Sequence, residues 1–440
     1  MSITNYISDC LNLKDKNLII YDKTYIKKIK NRNVRIIEGR ITYTPSYCPK
    51  CDCVCNGFND VIKWGVKRCI VKIPKISNCI SLLYLDKQRF KCKHCGATFI
   101  ADTDIVDHFK NISNSLNYKI REDLCKKESE VDIAFDNGIS HASVNRILSS
   151  ISSDKLKYHS HLPEILNIDE FNSTPDTFGK YACIITTPNT NKHCKSKTRI
   201  FEILPCRTYE YLYSYFSNYS IKERHKVKHI TSDFFPGYIK LARRLFPNAK
   251  ISIDRFHIVV QPYEALNSLR ASLCKKSNPN YNKLKHFWKL ILKDKSLLSD
   301  DKHYSRYFRK EVSQRDIVTY LINTNSDLKL NYNFYQGIIS SLKDRDFDKF
   351  EKIIRFADDS LSKKMKNAIK LFNKYIKLFN KYIKYIKNSF DFDVNNAVAE
   401  GTNNLIKCVK RIGFGYRKFN HLKARVILVK QGIDIRNYSY

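Results

Sequence analysis

From Pro163 onward the chain alternates short apolar runs with turn residues. EILNIDEF, KYACIITT and TRIFEIL have the length and β-branched content of strands, and their spacing predicts a three-stranded meander. TYEYLYSYFSNYS follows with helical spacing. KHITSD then reads as a strand, FPGYIKLARRLFP as a helix and AKISID as a strand. Strand, helix, strand predicts a parallel pairing within a mixed α/β sheet. Residues 258–390 place Lys, Leu, Phe and Tyr at helical spacing with almost no strand signal, which predicts a run of helices. Within it LFNKYIK occurs twice in tandem, at 371–377 and 378–384. Two copies are too few for a solenoid, and they read as one long amphipathic helix with Leu and Ile buried and Lys outside.

Before Pro163 the pattern is different. Residues 1–40 read as a basic lead-in with little punctuation, and residues 41–101 hold clustered cysteines among β-rich runs such as CIVKIP and QRFKC. Residues 102–150 are polar and helical in period. The Ser-rich stretch SSISSDKLKYHSH marks a linker over 151–162. ESEVDIAFDNGISHASVNRIL, residues 128–148, fits a helix-turn-helix. Ala134 is small where two helices must approach, and Gly138 stands where the turn needs a positive φ. Val144 and Ile147 pack the second helix on the first. Ser140 caps that helix, leaving His141, Ser143, Asn145 and Arg146 outward, where Asn145 or Arg146 would read base edges.

Charge sharpens this picture. The 440 residues carry 79 Lys+Arg against 43 Asp+Glu, a formal charge of +36. Part of that excess reflects a Lys-, Asn- and Ile-rich composition, but the remainder favours a polyanionic partner, most simply nucleic acid. Hydrophobic residues make up 43%, which excludes a disordered chain. With no run of 18 apolar residues and no signal-peptide core, a cytoplasmic location without membrane attachment is expected. Fifteen cysteines in such a chain read as reduced thiols plus a metal site.

YCPKC supplies Cys48 and Cys51, and FKCKHC supplies Cys92 and Cys95. Two CxxC knuckles about forty residues apart provide four thiolates for a tetrahedral structural Zn²⁺, in a zinc ribbon. Cys53, Cys55 and His94 lie close enough in sequence to exchange as ligands. Cys69 and Cys79 are expected as buried thiols.

Acids stand at special places in this basic chain. Asp169 closes the first strand of the α/β region, with Glu170 next door competing for its role, and Asp233 closes KHITSD. NNAVAEGTNNLIKCVKRIGFGYR, read as a helix, puts Val398, Leu405, Val409 and Ile412 on one face. Glu400, Asn403, Asn404, Lys407 and Arg411 fall on the other. Glu400 is either a solvated carboxylate paired with Asn404 and Lys407, or a metal ligand facing a phosphate backbone. Carboxylates at adjacent strand ends plus one from a packed helix can hold two Mg²⁺ ions, with Mn²⁺ as a substitute.

Several runs resemble the DDE transposases of the ISL-three family of bacterial insertion sequences. They are CPKC with RFKCKHC, IDEF, TSDFFPGYIKLARRLFPNAKISIDRFHIV, and NNAVAEGTNNLIKCVKRIGFGYRKFNHLKARVIL. The resemblance implies an α/β ribonuclease-H-like core, in two parts (163–257 and 391–440) flanking the helical insertion. It implies a triad of Asp169, Asp233 and Glu400, and it matches Asp254 and His257 to the family's DRFH run, with His257 orienting or contacting DNA. The implied activity is Mg²⁺-dependent phosphodiester hydrolysis and strand transfer, on terminal inverted repeats and target DNA. Lys407, Lys410, Arg411 and Arg417 would hold the DNA backbone. A homo-oligomer is expected because two ends must be joined, acting in the bacterial cytoplasm on the nucleoid. The rival expectation is a non-catalytic DNA-binding regulator derived from a transposase.

Overall fold

Two five-stranded sheets, one in each of two units, organise the computed structural model, which describes residues 8–9, 11–155, 159–188, 198–377, 383–391 and 397–432. The first unit comprises Met1–Lys157, Thr174–Asp176 and Leu405–Tyr440; the second comprises Tyr158–Ser173 and Thr177–Asn404.

In the first unit β1 (Leu18–Ile29) pairs antiparallel with β2 (Arg32–Ile41), and β3 (Val61–Ile76) with β4 (Cys79–Cys92). Each hairpin turns through two residues with positive φ, Lys30–Asn31 and Ser77–Asn78, the geometry that matches strand twist. β2 runs parallel to β4, giving the order β1-β2-β4-β3, and β5 (Thr98–Ile100) adds to β4. The stretch that reads as a lead-in therefore contributes two strands. Its signal is weak because β1 is largely exposed. Ile37, Ile41, Val71, Leu83, Leu85 and Phe90 form the core of this sheet.

Three helices follow: α1 (Asn114–Asp123), α2 (Glu130–Asp136) and α3 (His141–Lys155). Ile133, Ala134, Val144, Ile147 and Leu148 share one core with Ala424 and Leu428 of the last helix, Phe419–Gln431. Gly138 turns α2 into α3 at φ +63, and a Cβ there would stand 2.8 Å from Ile80 Cγ2. Only glycine suits both demands. Helix α3 runs to Lys155, through part of the stretch expected as a linker. The hydroxyls of Ser149, Ser150 and Ser152 turn back onto carbonyls within the helix, so serine there does not break it.

A buried ion pair ties α2 to the last helix. Arg425 is 1% exposed, and its Nε lies 3.2 Å from Glu130 Oε1. Tyr416 donates to the same oxygen at 2.5 Å, and Arg425 Nη2 donates to the Glu128 carbonyl.

In the second unit β6 (Ile165–Asn172), β7 (Tyr181–Pro188) and β8 (Thr198–Leu204) form the expected antiparallel meander. After α4 (Tyr209–Ser217) and α5 (Ile221–His225) come β9 (His229–Ser232), α6 (Pro236–Leu245) and β10 (Lys250–Ile253). β9 is parallel to both β6 and β10, so the order is β10-β9-β6-β7-β8. Helix α6 buries Tyr238, Ile239, Leu241, Ala242 and Leu245 and leaves Lys240, Arg243 and Arg244 outside.

The insertion is helical apart from one hairpin. It holds α7 (Arg255–Leu273), α8 (Tyr281–His286), α9 (Trp288–Ile291), the hairpin β11 (His303–Ser305) and β12 (Lys310–Val312), then α10 (Gln314–Ile322), α11 (Ser326–Lys343), α12 (Phe347–Arg355), α13 (Lys363–Lys377) and α14 (Ile383–Asp391). The first LFNKYIK copy ends α13; residues 378–382 of the second lie outside the described residues. Helix α14 covers the edge of β10: Ser389 Oγ accepts from Ile253 N at 3.0 Å, and Asn388 Nδ2 donates to Ile251 O at 2.7 Å. Helix α15 (Ala397–Ile412) begins in this unit and ends in the other.

Candidate active site

The parallel register puts three acids in one row. Ile168 pairs with Ser232, and Ser232 with Ile253. The next residue on each strand is Asp169, Asp233 and Asp254. Asp233 and Asp254 directly follow the ends of β9 and β10, and Asp169 lies level with them on β6, at the carboxyl side of three adjacent parallel strands, where α/β sheets open their ligand crevice. Asp169 does not close its strand, as the sequence suggests; β6 continues through Asn172, paired with β7.

Each carboxylate is held by named donors. Asp233 Oδ1 accepts from the Phe235 amide at 2.8 Å. Asp254 caps α7, accepting from Phe256 N at 2.7 Å. Asp169 Oδ2 accepts from Asn403 Nδ2 on α15 at 2.5 Å. His257 Nε2 stands 4.0 Å from Asp169 Oδ1 and 3.9 Å from Asp254 Oδ2. Glu170 does not compete for this place: it pairs with Arg207, whose guanidinium lies over the rings of Tyr181, at 4.4 Å, and Phe235, at 4.7 Å.

Burial holds the Asp233 carboxyl above its ordinary range, and the charge on Asp169 adds to this. The Phe235 amide, His257 and Arg207 oppose the shift without cancelling it. The metal-free native state therefore keeps a proton that the unfolded chain releases from ~3.9 upward. Stability contributed by this group is present below that value and is lost as pH rises through the raised one. Thermal unfolding of the metal-free protein should show this loss, and Asp233→Asn should flatten it. An identical pH slope in the variant would contradict the assignment.

The site suits a hard divalent cation. Its donors are carboxylate oxygens, Asp254 buried and Asp169 and Asp233 half-buried, and Asn403 Oδ1 is buried with no hydrogen-bond partner among the described residues. Glu400 stands three residues before Asn403 on α15, one helical turn away; its side chain lies outside the described residues. On the same helix Thr402, Ile406 and Val409 are buried, and Asn404, Lys407 and Arg411 are exposed. Leu405, expected on the apolar face, is half-buried, with Ile406 in its place. Lys410 is half-buried, and burial lowers its pKa. Arg417 is exposed.

The other candidate residues lie in the first unit. His141 and Arg146 are exposed on α3, while Ser143 and Asn145 are half-buried, and Ser140 Oγ accepts from Ser143 N at 3.2 Å. Cys48, Cys51, Cys92 and Cys95 converge with all four sulfurs within 4.8 Å of one another. No other group of three or more His, Cys, Asp or Glu ligand atoms does so among the described residues. Cys48 lies 3.8 Å from Cys95 and Cys51 lies 3.9 Å from Cys92. Tetrahedral Zn–S bonds of ~2.3 Å demand sulfur separations of about 3.8 Å. The group could bind zinc. Asp52 and Gly96, each four residues after the first cysteine of its knuckle, take positive φ and close the two loops. Burial opposes ionisation of Cys48, but the Lys50 and Cys51 amides and neighbouring thiols bring it down to about 7. His94 faces Asp60 at 3.4 Å and Cys55 is buried in the sheet core, so neither joins the cluster. Cys69 and Cys79 are half-exposed rather than buried, although Cys69 shares its sheet face with buried Val71 and Leu85; Cys79 opens β4 directly after the Ser77–Asn78 turn, where that face is less covered.

A family profile described as transposase, of the ISL-three DDE type, matches residues 166–426. The chain belongs to this family. The match spans the three-acid row, α15 with Glu400 and most of the last helix, and begins after the cysteine cluster and α3. It makes DNA the implied partner and nucleic-acid processing the implied chemistry. A second similarity is to a Lactococcus lactis subsp. lactis protein named ATP-dependent protease, 28% identical over 134 residues, or 30% of this chain and 41% of that protein. The matched part is thus about two fifths of that relative's length, and its name describes that protein alone. No helix among the described residues is long and apolar enough to cross a membrane.

Asn403 and Arg207 as partners of the acids, and Arg425, Glu130 and Tyr416 as a buried cluster, emerge only in the fold. Asn403 has a faint signal, since it shares a helical face with Glu400. The others have none: their partners are distant in sequence, and a buried arginine reads like any surface one.

Proposed function

We propose that the protein cuts and joins DNA at the ends of an insertion sequence, with Asp169, Asp233 and Glu400 as its catalytic acids. The observation that carries the reading is the register row of acids at the strand ends, with Asp169 bonded to the helix that bears Glu400. The sheet, a meander followed by two parallel strands, is read as a ribonuclease-H-like core interrupted by the helical insertion over 258–390.

The three acids would hold two Mg²⁺ ions, or Mn²⁺ in their place. Such a pair lowers the pKa of the attacking water or 3′-hydroxyl and offsets charge on the leaving oxygen. The protein's own groups prepare the site. Asn403 fixes the orientation of Asp169, and the Phe235 amide fixes Asp233. Arg207 keeps Glu170 out of the donor set. His257, between Asp169 and Asp254, is read as an orienting residue.

The DNA ends would be recognised elsewhere. Cys48, Cys51, Cys92 and Cys95 would hold a structural Zn²⁺ in a zinc ribbon. The α2–α3 pair would act as a helix-turn-helix, offering His141, Ser143, Asn145 and Arg146 to the major groove. Lys407, Lys410, Arg411 and Arg417 would take the phosphate backbone. Two copies of the chain are needed to bring two ends together. The site of action would be the bacterial nucleoid.

Footprinting on DNA from the protein's own locus tests the reading. Protection of the terminal inverted repeats is expected, with Mg²⁺-dependent strand breaks at the edge of the protected region. Protection without breaks would leave the non-catalytic regulator, and no preference for the repeats would remove end recognition.

A further inference from the structure

Outside the acid row, the helical insertion carries a cleft lined by aromatic residues. Between α8 and the β11–β12 hairpin is a cleft of about 650 Å³, within the ~300–1,000 Å³ common for small-ligand sites. His286 and Tyr307 stack in it at 4.4 Å and 28° between planes, and Phe287 stands edge-on to Tyr307 at 5.5 Å. Tyr304 lines the same cleft with 67% of its surface exposed. Ser305 Oγ, also in the lining, is buried with no hydrogen-bond partner among the described residues. Open aromatic faces beside an unsatisfied hydroxyl suit a flat heterocycle with polar edges.

The rim is cationic. The hairpin turns through Arg306–Arg309, with Arg309 at φ +53, and Lys302, Arg306, Arg309 and Lys310 are all exposed. Of the nearby acids Asp300 pairs with Arg315, while Asp301 accepts from Ser299 Oγ at 2.8 Å and Glu311 is exposed on β12, so the four cations outnumber the two acids left without a cationic partner among the described residues. Aromatic rings to stack on, with cations to follow phosphates, are the combination that binds unpaired nucleic acid.

We propose that this cleft holds an unpaired nucleobase of DNA, stacked against Tyr307 and Tyr304, with Ser305 on the base edge and the hairpin cations on the flanking phosphates. The inference rests on the reading of the protein as a DNA-cutting transposase, whose substrate frays to unpaired positions beside a strand break. Duplex DNA hides its base faces, so the cleft discriminates single-stranded or mispaired positions from paired ones.

The test uses the full-length protein and oligonucleotides carrying 2-aminopurine, whose fluorescence falls on stacking. Quenching is expected when the probe is unpaired and not when it is paired. Tyr307→Ala should restore the fluorescence and weaken single-strand affinity roughly tenfold. Tyr304→Ala, at an exposed position that does not support the core, should do so in part. The proposal falls if the native protein does not quench the unpaired probe, or if both variants quench as the native protein does. It also falls if millimolar free mononucleotide fills the cleft as well as a strand does. Duplex binding by the native protein is measured alongside. Duplex bound while the unpaired probe stays unquenched overturns this cleft and leaves the transposase reading standing, whereas no binding to either DNA overturns both.

Discussion

Asp233→Asn is expected to lower Mg²⁺-dependent DNA cleavage by at least ~10³-fold, equivalent to roughly 4 kcal/mol of transition-state stabilisation. The substitution removes a negative charge from the acid row and little else. Asn retains an oxygen that can accept from the Phe235 amide, and burial already favours a neutral side chain here. The fold and DNA affinity should therefore persist, which separates chemistry from binding. Asn403→Ala should behave differently. It removes the donor to Asp169 but no ligand charge, and losses of such supporting groups run to about 10–100-fold. Single-turnover cleavage rates on one DNA substrate distinguish the two. Equal losses for both variants would mean that Asn403 is itself a ligand, and a cutting rate unaltered by Asp233→Asn would remove Asp233 from the site.

Arg425→Met is expected to destabilise the first unit by ~3–5 kcal/mol, because it leaves Glu130 charged in the interior. Glu130 is 6% exposed, and apart from Arg425 its described side-chain partner is the Tyr416 hydroxyl. Burial and the Glu130 charge already push the Tyr416 phenol up, so it stays a donor and cannot replace a cation. Arg425→Met combined with Glu130→Leu should recover much of the loss, since apolar groups of similar volume often replace buried ion pairs at no net cost. Denaturant unfolding monitored in the first unit gives the coupling through a double-mutant cycle. A loss below about 1 kcal/mol in the single variant would place the pair among weak surface contacts.

The legible parts of this fold are those in which neighbours in sequence are neighbours in space. The meander β6–β8 and the β9–α6–β10 unit follow from spacing and turn residues, because each strand pairs with one close along the chain. Two CxxC knuckles announce four thiolates because one local turn presents two sulfurs. Strands β1 and β2 are harder to see, since exposed Lys and Tyr blur their alternation. Asp169 stands out as an acid near a strand end, yet its alignment with Asp233 and Asp254 is a property of register and needs all three strands. Asn403 and Arg425 are a step further away: each acts on a partner more than two hundred residues earlier. No local pattern marks such a pair.

The most direct test of the central claim is cleavage of an end-labelled duplex carrying the inverted repeats, by the native protein and by Asp169→Asn, Asp233→Asn and Glu400→Gln, with and without Mg²⁺. The predicted result is a Mg²⁺-dependent break at the repeat end, releasing a 3′-hydroxyl, for the native protein alone, with all four proteins binding the duplex. A native protein that binds and leaves the strand intact, or triad variants that cut at the native rate, would contradict it.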